Sequence, residues 1–218
     1  MILEIEDIHV KIGPVEALRG FTLSVAAGEM LVLSGRNGAG KTTVMKTVMG
    51  LNRPVAGRVV FDNTPLSSVS VHHRAALGIG YMPEDRGLVP ELSVEENILL
   101  PVWVTKALPE AERMATVYDI LPELREMRER KALLLSGGQQ KLVALARALA
   151  AGTRLLLLDE PFEGVAPALA QRLAQVIAGL RGQGMAMILS QSELNEYFDV
   201  FDREVTIERG ANSQMADG

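Results

Sequence analysis

The sequence predicts an α/β fold: a parallel sheet flanked by helices, with an antiparallel β region at the N-terminus and an inserted helical subdomain. Short apolar runs such as the "MLVL" of "MLVLS" and the "LLLL" of "LLLLD" are typical of strands buried on both faces. Helical patterns alternate with these segments, which favours a parallel sheet. The first thirty residues instead tend to alternate apolar with polar positions, as strands with one wetter face do.

The N-terminal elements follow from this alternation. "LEIEDIHVKI" and "LRGFTLSV" are predicted antiparallel strands, because apolar residues recur at every second position over much of their length. "MLVLSG" is a predicted buried strand that ends at Gly35, and a helix through "KTTVMKTVMG" is expected to end at Gly50. "GRVVFD" is the next predicted strand.

The later part of the chain repeats the alternation of strand and helix. "GIGYMP", "RLLLLDEP" and "MAMILSQ" are predicted buried strands, and "APALAQRLAQVIAGLRGQG" is a predicted helix. Between residues 84 and 150 helical patterns dominate. We therefore expect a helical subdomain, 84–150, inserted into an α/β core that comprises residues 1–83 and 151–218.

Composition excludes several classes of protein. The chain has 218 residues, 48% of them apolar, which is enough for a sizeable core. It has no cysteine, so disulfides and cysteine-ligated metals are excluded. The net charge of −5 does not indicate a nucleic-acid-binding surface, and we expect no nucleic acid as a partner. No apolar run approaches the roughly 18–20 residues that span a bilayer, so a soluble chain is expected.

A glycine-rich segment follows the first predicted buried strand. Residues 35–42, "GRNGAGKT", fit the pattern G-x-x-x-x-G-K-[ST] of a phosphate-binding P-loop. Its glycines let successive backbone N–H groups face one point, and the following helix adds positive potential there. The predicted nucleotide-binding residues are Gly35, Arg36, Asn37, Gly38, Ala39, Gly40, Lys41, Thr42 and Thr43. Lys41 can reach the β- and γ-phosphates, and the Thr42 hydroxyl can ligate Mg²⁺.

Two acidic residues end a later buried strand. Asp159 and Glu160 close the apolar run in "RLLLLDEP". In P-loop proteins an Asp at the carboxyl end of a neighbouring strand helps to hold Mg²⁺, and a following Glu can accept a proton from the attacking water. We therefore predict Asp159 as a metal ligand and Glu160 as the catalytic base.

The segment "LSGGQQ" resembles a second anion-binding helix start. Ser136 and Gln139 fit a capping box, which explains these two residues alone. Capping does not explain Gly137 and Gly138, since each glycine costs about 1 kcal/mol relative to alanine inside a helix. We therefore expect another group to approach this backbone closely.

The P-loop, "LSGGQQ" and "LLLLDEP", in this order and spacing, resemble the ATPase subunit of ATP-binding-cassette transporters, and the resemblance covers nearly the whole chain. It implies a P-loop nucleotide-binding core, ATP and Mg²⁺ as cofactors, and two ATPase domains paired head to tail. Each ATP would lie between the P-loop of one chain and the "LSGGQ" signature of the other. Ser136, Gly137 and Gly138 would then bind the γ-phosphate of an ATP held by the partner, whether a copy or a paralogue.

The resemblance also implies partners and a location. Integral membrane permease subunits would bind the ATPase, and a solute-binding protein would act with them indirectly. The chain would be cytoplasmic and peripheral, held on the inner face of the plasma membrane by the permease. The apolar stretch "LVPELSVEENILLPVW" fits two roles equally, core packing or an exposed patch for a permease helix.

Three positions depart from the residues usual in the family. Glu84 stands where a Gln usually touches Mg²⁺ and the water; a carboxylate can ligate the metal but cannot donate an N–H. Gln191 stands at the position of a switch His, and its amide can still donate to the γ-phosphate, so we predict a catalytic role. Ile12 stands where an aromatic residue usually stacks on adenine, which would weaken recognition of the base.

Glu84 and Gln191, together with "EGVAP" after Glu160, resemble ATPase subunits of bacterial importers for branched-chain or other hydrophobic amino acids. The motif "PEDR" also occurs in sugar importers, so a sugar-type or other importer stays open. A non-transport cassette ATPase is a second alternative, although this chain has neither a coiled-coil insertion nor a second cassette. A small-molecule P-loop kinase is a third, but it has no need for "LSGGQQ".

Overall fold

The structure is a computed structural model that describes residues 1–106, 109–192 and 200–213. The predicted α/β architecture is confirmed, with an antiparallel N-terminal sheet, a mainly parallel sheet and flanking helices. The strands are β1 Leu3–Ile12, β2 Val15–Val25, β3 Met30–Ser34, β4 Pro54–Phe61, β5 Thr64–Pro65, β6 Ile79–Met82, β7 Leu155–Asp159, β8 Ala186–Gln191, β9 Arg203–Glu208 and β10 Ala211–Asn212. The helices are α1 Lys41–Val48, α2 Val94–Thr105, α3 Glu110–Ile120, α4 Gly137–Ala151 and α5 Pro167–Gly179.

The N-terminal sheet has the strand order β2-β1-β4-β5, and neighbouring strands are antiparallel. Its strands form where apolar residues alternate with polar ones. In β2 the side chains of Phe21, Leu23 and Val25 are buried, whereas Thr22 between them is exposed. One face of this sheet therefore packs on the core and the other faces water.

The second sheet has the strand order β10-β9-β3-β8-β7-β6, and only the β10–β9 pair is antiparallel among the described strands. Every residue of β3, β7 and β8 is buried, as their continuous apolar sequences predict. The register pairs Ser34 with Gln191 and Asp159 with Ser190. The ends of three strands thus meet at one edge of the sheet, the usual place for a ligand in a parallel α/β fold.

The apolar stretch at residues 88–103 fitted either core packing or a surface patch for a permease helix, and part of it lies in the core. Helix α2 begins with a capping box between Ser93 and Glu96, and its buried face includes Ile98 and Val102. Trp103 and Val89 are exposed. Four apolar residues of the stretch, Val94, Ile98, Leu99 and Val102, are therefore in the core, and the others are part-buried or exposed.

The helical pattern beyond residue 120 is not one continuous helix. Helix α3 ends at Ile120, and a 3₁₀ segment, Pro122–Met127, follows it. Pro122 has no N–H to continue the ladder of helical hydrogen bonds, and its ring crowds the preceding turn. Residues 107–108 of the expected helical subdomain, and 193–199 and 214–218 of the expected core, lie outside the described residues.

Helix α4 packs directly on the parallel sheet. A Cβ atom at Gly80 in β6 would lie 2.1 Å from the carbonyl oxygen of Ala148 and 2.8 Å from Cα of Gly152. Only glycine lets strand and helix approach so closely. Helices α2 to α5 share one apolar core with a face of this sheet, while α1 lies in a second core between the two sheets. No helix in the described ranges is long and apolar enough to cross a lipid bilayer.

Candidate active site

The P-loop lies between the end of β3 and the start of α1. Gly38 and Gly40 have φ angles of 79° and 117°, in the left-handed region that favours glycine. A Cβ atom at Gly40 would lie 3.0 Å from a methyl group of Leu18 and 3.1 Å from one of Ile207. Gly40 also provides no side chain to cap α1, and the first turn carries no acidic residue. The loop therefore leaves the positive end of α1 available to an anion.

Lys41 is buried at the centre of the loop. Its ammonium nitrogen Nζ donates to the carbonyl oxygens of Gly35, at 2.5 Å, and Arg36, at 3.2 Å. It also donates to Oγ of Ser192 at 3.1 Å, and it lies 3.0 Å from Oε1 of Glu160. The structure thus brings together the predicted phosphate-binding lysine and the predicted catalytic base.

Asp159 is fully buried at the end of β7. Its carboxylate accepts hydrogen bonds from Thr42 Oγ1 at 3.1 Å, Ser190 Oγ at 2.7 Å and the Tyr81 hydroxyl at 3.3 Å. Burial raises the pKa of Asp159, and the hydrogen bonds from Ser190 and Thr42 partly oppose this shift. The two predicted metal ligands, Thr42 and Asp159, therefore lie in direct contact.

This pair of oxygen ligands fits Mg²⁺. The described residues contain no cluster of three His, Cys, Asp or Glu side chains that could hold a metal by themselves. Mg²⁺ usually binds through one or two carboxylates together with water and substrate phosphates, so such a cage is not needed. The predicted third ligand, Glu84, is exposed and borders the same cavity as Thr42. Although Glu84 is exposed, partial loss of water around its carboxyl group raises its pKa, and nearby carboxylates, first that of Glu163, act in the same direction.

Glu160 has an unusual backbone conformation for a residue that is not glycine, with φ of 47°. Its backbone N–H donates to Ser190 Oγ at 3.0 Å. Its carboxylate accepts from the Ser192 N–H at 3.2 Å and lies 2.5 Å from Ser192 Oγ. Ser192 Oγ also lies 2.6 Å from Oδ1 of Asn37 in the P-loop. Sequence reasoning missed Ser192, and its place directly after Gln191 was the available signal.

Gln191 ends β8 beside the P-loop and is almost wholly buried. Its Oε1 atom is buried with no hydrogen-bond partner among the described residues. A buried amide oxygen without a partner costs free energy, so this side chain is suited to contact a further polar group. The structure thus positions Gln191 at the strand edge that the sequence predicted.

A cavity of 610 Å³ adjoins the P-loop. Its lining residues include Lys41, Thr42, Glu160 and Glu84, so the structure gathers these predicted site residues around one space. The same cavity is also bordered by Val15, Ala17, Arg19 and Arg209. Ile12, the last residue of β1, is 52% exposed and is not among the residues that line this cavity.

The signature segment, residues 135–139, lies elsewhere. Ser136 and Gln139 form the predicted capping box, with hydrogen bonds of 3.3 and 3.0 Å. Ser136, Gly137 and Gly138 do not line the P-loop cavity of their own chain. The sequence predicted that another group approaches the backbone of Gly137 and Gly138, and two side chains of the same chain do so. A Cβ atom at Gly138 would lie 2.9 Å from a methyl group of Leu169, and a Cβ atom at Gly137 would lie 3.3 Å from the Arg86 guanidinium.

Comparisons with known proteins agree with this geometry. The family model described as ABC transporter matches residues 18–163. The lipopolysaccharide export system ATP-binding protein LptB of Haemophilus influenzae is 33% identical over 219 aligned positions, which cover 100% of this chain and 90% of that protein. The high-affinity branched-chain amino acid transport ATP-binding protein BraG of Pseudomonas aeruginosa is 31% identical over 209 positions, covering 96% of this chain and 90% of BraG.

Solved structures of similar proteins share the fold. An ATP-binding subunit of an ABC transporter has a TM-score of 0.87 and 27% identity, covering 98% of this chain and 89% of that one. A nucleotide-free ATP-binding cassette from an ABC transporter has a TM-score of 0.82 and 27% identity, covering 98% and 90%. With its P-loop beside Asp159 and Glu160, the chain belongs to the ABC transporter family, as an ATPase domain that uses ATP and Mg²⁺.

Proposed function

We propose that two copies of this chain pair head to tail and hydrolyse ATP at two shared sites, and that this cycle drives a membrane permease. One observation carries the proposal. The chain has a P-loop with its acidic residues and an exposed signature segment, yet residues 136–138 do not line its own P-loop cavity. A second copy supplies the missing half of each site, and because both halves are present in one chain, two copies complete both sites.

The residues of this chain have distinct roles in the reaction. The P-loop N–H groups and Lys41 bind the phosphates, and Thr42, Asp159 and Glu84 hold Mg²⁺, which when bound neutralises charge on the phosphate oxygens. Glu160 accepts a proton from water while the water oxygen bonds to the γ-phosphorus and the bond from that phosphorus to the ADP oxygen breaks. Gln191 donates its amide N–H to the γ-phosphate, opposite the signature residues of the second copy.

The pairing of Lys41 with Glu160 fits this sequence of events. The two side chains lie 3.0 Å apart and both are nearly inaccessible to solvent. Phosphate oxygens compete with Glu160 for the Lys41 ammonium, since both are anions of comparable hydrogen-bonding strength. Nucleotide binding therefore releases the Glu160 carboxylate, which is then free to accept a proton.

The proposal extends to the compound that the permease transports. Glu84, Gln191 and the "EGVAP" segment support import of branched-chain or other hydrophobic amino acids, as does the 31% identity to BraG. Lipopolysaccharide export is the second candidate, supported by the 33% identity to LptB over the whole chain. The compound that stimulates ATP hydrolysis by this chain bound to its permease separates the two cargoes.

Complementation between two inactive variants tests the shared site. Lys41→Ala removes the phosphate-binding ammonium, and Ser136→Arg blocks the signature with a bulky side chain. Each variant alone should lack ATPase activity. A heterodimer purified through two different tags should regain activity, because it contains one site with an intact P-loop and an intact signature. A heterodimer as inactive as either parent would refute the shared site.

A further inference from the structure

Lys141 is a buried basic residue that takes no direct part in the proposed reaction. It lies in the second turn of α4 and is 3% exposed. Burial lowers the pKa of its ammonium group, and no carboxylate of the described residues forms an ion pair with it. Its Nζ instead donates to two carbonyl oxygens, those of Glu160 at 2.9 Å and Glu163 at 2.7 Å. Burial of an ammonium group whose partners among the described residues are carbonyl oxygens carries a desolvation cost.

The two carbonyls belong to the segment that carries the catalytic base. Glu160 has φ of 47°, and the left-handed region is strained for a residue other than glycine. Such a conformation persists only where neighbouring groups hold it. Ser190 accepts from the Glu160 N–H, and Lys141 donates to the Glu160 carbonyl oxygen. Side chains from β8 and α4 thus fix both peptide groups of Glu160, and with them the direction of its carboxylate.

Helix α4 also begins with the signature. Lys141 follows Gly138 by three residues, so one rigid helix carries both groups. Under the proposed function, Ser136, Gly137 and Gly138 contact the nucleotide of the second copy. Lys141 contacts the catalytic segment of its own chain. A movement of α4 on nucleotide binding at one site therefore acts on Glu160 at the other site.

We propose that Lys141 is a positioning residue for hydrolysis, which holds Glu160 of its own chain and links that base to the signature on the same helix. This inference rests on the proposed shared site. It assigns Lys141 to the active site that contains the P-loop of its own chain. Ser136, Gly137 and Gly138, at the start of the same helix, instead belong to the site that contains the P-loop of the second copy.

Kinetics of Lys141→Met provide the first test. Methionine keeps the apolar stem but donates no hydrogen bond, so Glu160 loses one of its two anchors. We expect kcat to fall about 100-fold, the cost typical of a misplacement of about 1 Å, with KM for ATP unchanged within about twofold. Lys131→Met is the matched control, because Lys131 is exposed and lies just before the signature. The control should keep the wild-type kcat, whereas a wild-type kcat in Lys141→Met would overturn the inference.

Complementation assigns Lys141 to one of the two sites. A heterodimer of Lys141→Met with Ser136→Arg should regain activity, because its competent site combines an intact P-loop and Glu160 from the second variant with the intact signature of the first. A heterodimer of Lys141→Met with Lys41→Ala should stay as inactive as its parents. Lys141→Gln, a polar variant with a shorter donor, is expected to give the same pattern and serves if Lys141→Met does not fold.

The outcomes separate the two proposals. Failure of Lys41→Ala and Ser136→Arg to complement each other refutes the shared site itself. If that pair complements, the reverse pattern for Lys141→Met, or rescue by both partners, refutes the positioning role alone. Rescue only by Ser136→Arg supports it.

Discussion

Hydroxyl groups organise the two acidic residues at the end of β7. Ser190 Oγ donates to Asp159 and accepts from the Glu160 N–H, so one side chain orients both neighbours. Thr42 and Tyr81 complete the surroundings of Asp159, while Ser192 lies against the carboxylate of Glu160. Two adjacent carboxyl groups therefore have different environments, one suited to a metal and one to a water molecule.

The residues predicted from the sequence are those whose motifs are contiguous. Lys41 and Thr42 belong to the eight-residue P-loop motif, and Asp159 and Glu160 directly follow a run of four leucines. Ser192 and Lys141 belong to no such pattern. They act through contacts with the P-loop and with Glu160 that only the folded chain creates, and no local pattern encodes these contacts.

Asp159→Asn should abolish ATP hydrolysis and raise the stability of the metal-free protein. Burial disfavours the charged carboxylate, as its raised pKa indicates, so a neutral amide removes that penalty at neutral pH. The Asn side-chain oxygen can still accept from Thr42 and Ser190. We expect the metal-free protein to unfold about 2–4 °C higher, on the order of 1 kcal/mol, while Mg²⁺-dependent ATP hydrolysis is lost.

Calorimetry in the presence of a chelator measures the stability effect. Asp119→Asn is the control, because Asp119 is exposed on α3 and should leave the unfolding temperature unchanged. A lower unfolding temperature for Asp159→Asn would mean that the Asp159 charge stabilises the metal-free fold, contrary to the burial argument.

Helix α4 is hydrogen-bonded to the two segments that carry Glu84 and Glu160. Arg147 donates to the carbonyl oxygens of Arg86 and Gly87, and Arg86 donates in turn to Gln140 Oε1, which ties the Glu84 loop to the helix. Lys141 ties the Glu160 segment to the same helix. A shift of α4 would therefore be expected to displace both of these segments.

Strands with strong apolar or alternating patterns were predictable, and so was the helix start at Ser136. The edge strands β9 and β10 were not predicted. Four of the six β9 residues are exposed, and its place beside β3 depends on hydrogen bonds to a strand about 170 residues earlier. Helix α3 ends at Ile120 although helical patterns dominate beyond it, because Pro122 cannot continue the helical hydrogen bonds.

Gly80→Ala tests the close packing of α4 on β6. The new methyl group would meet the Ala148 carbonyl oxygen at 2.1 Å, so the helix must move away from the strand. We expect a loss of about 1–3 kcal/mol in the free energy of unfolding, measured by urea denaturation, and a lower kcat because α4 carries Lys141.

The control substitution is expected to increase the free energy of unfolding, whereas Gly80→Ala decreases it. Gly179 lies in α5 with no atom within 4 Å of its would-be Cβ, so Gly179→Ala should stabilise the chain by roughly 0.5–1 kcal/mol. Equal effects of the two substitutions would argue that β6 and α4 are not held at the distance described.

Within one chain, the P-loop and the signature segment lie apart, as the proposed sharing of sites between two copies requires. The P-loop borders its own cavity, and the signature lies exposed beside Leu133 and Leu134, two exposed apolar side chains. The fold and the family could be predicted from one sequence, since motif order and strand pattern agree. The pairing of two chains could not be derived from spacing, because it depends on surfaces of separate molecules.

The central claim is that ATP joins two copies of this chain, and Glu160→Gln tests it most directly. The substitution removes the base but leaves the phosphate contacts of the P-loop and signature, so ATP should persist and hold the copies together. Light scattering of Glu160→Gln with ATP and Mg²⁺ should give twice the chain mass of 23.6 kDa, and the double variant with Lys41→Ala should remain at the single mass. ATP binding by Glu160→Gln with a mass that stays at 23.6 kDa would contradict the account.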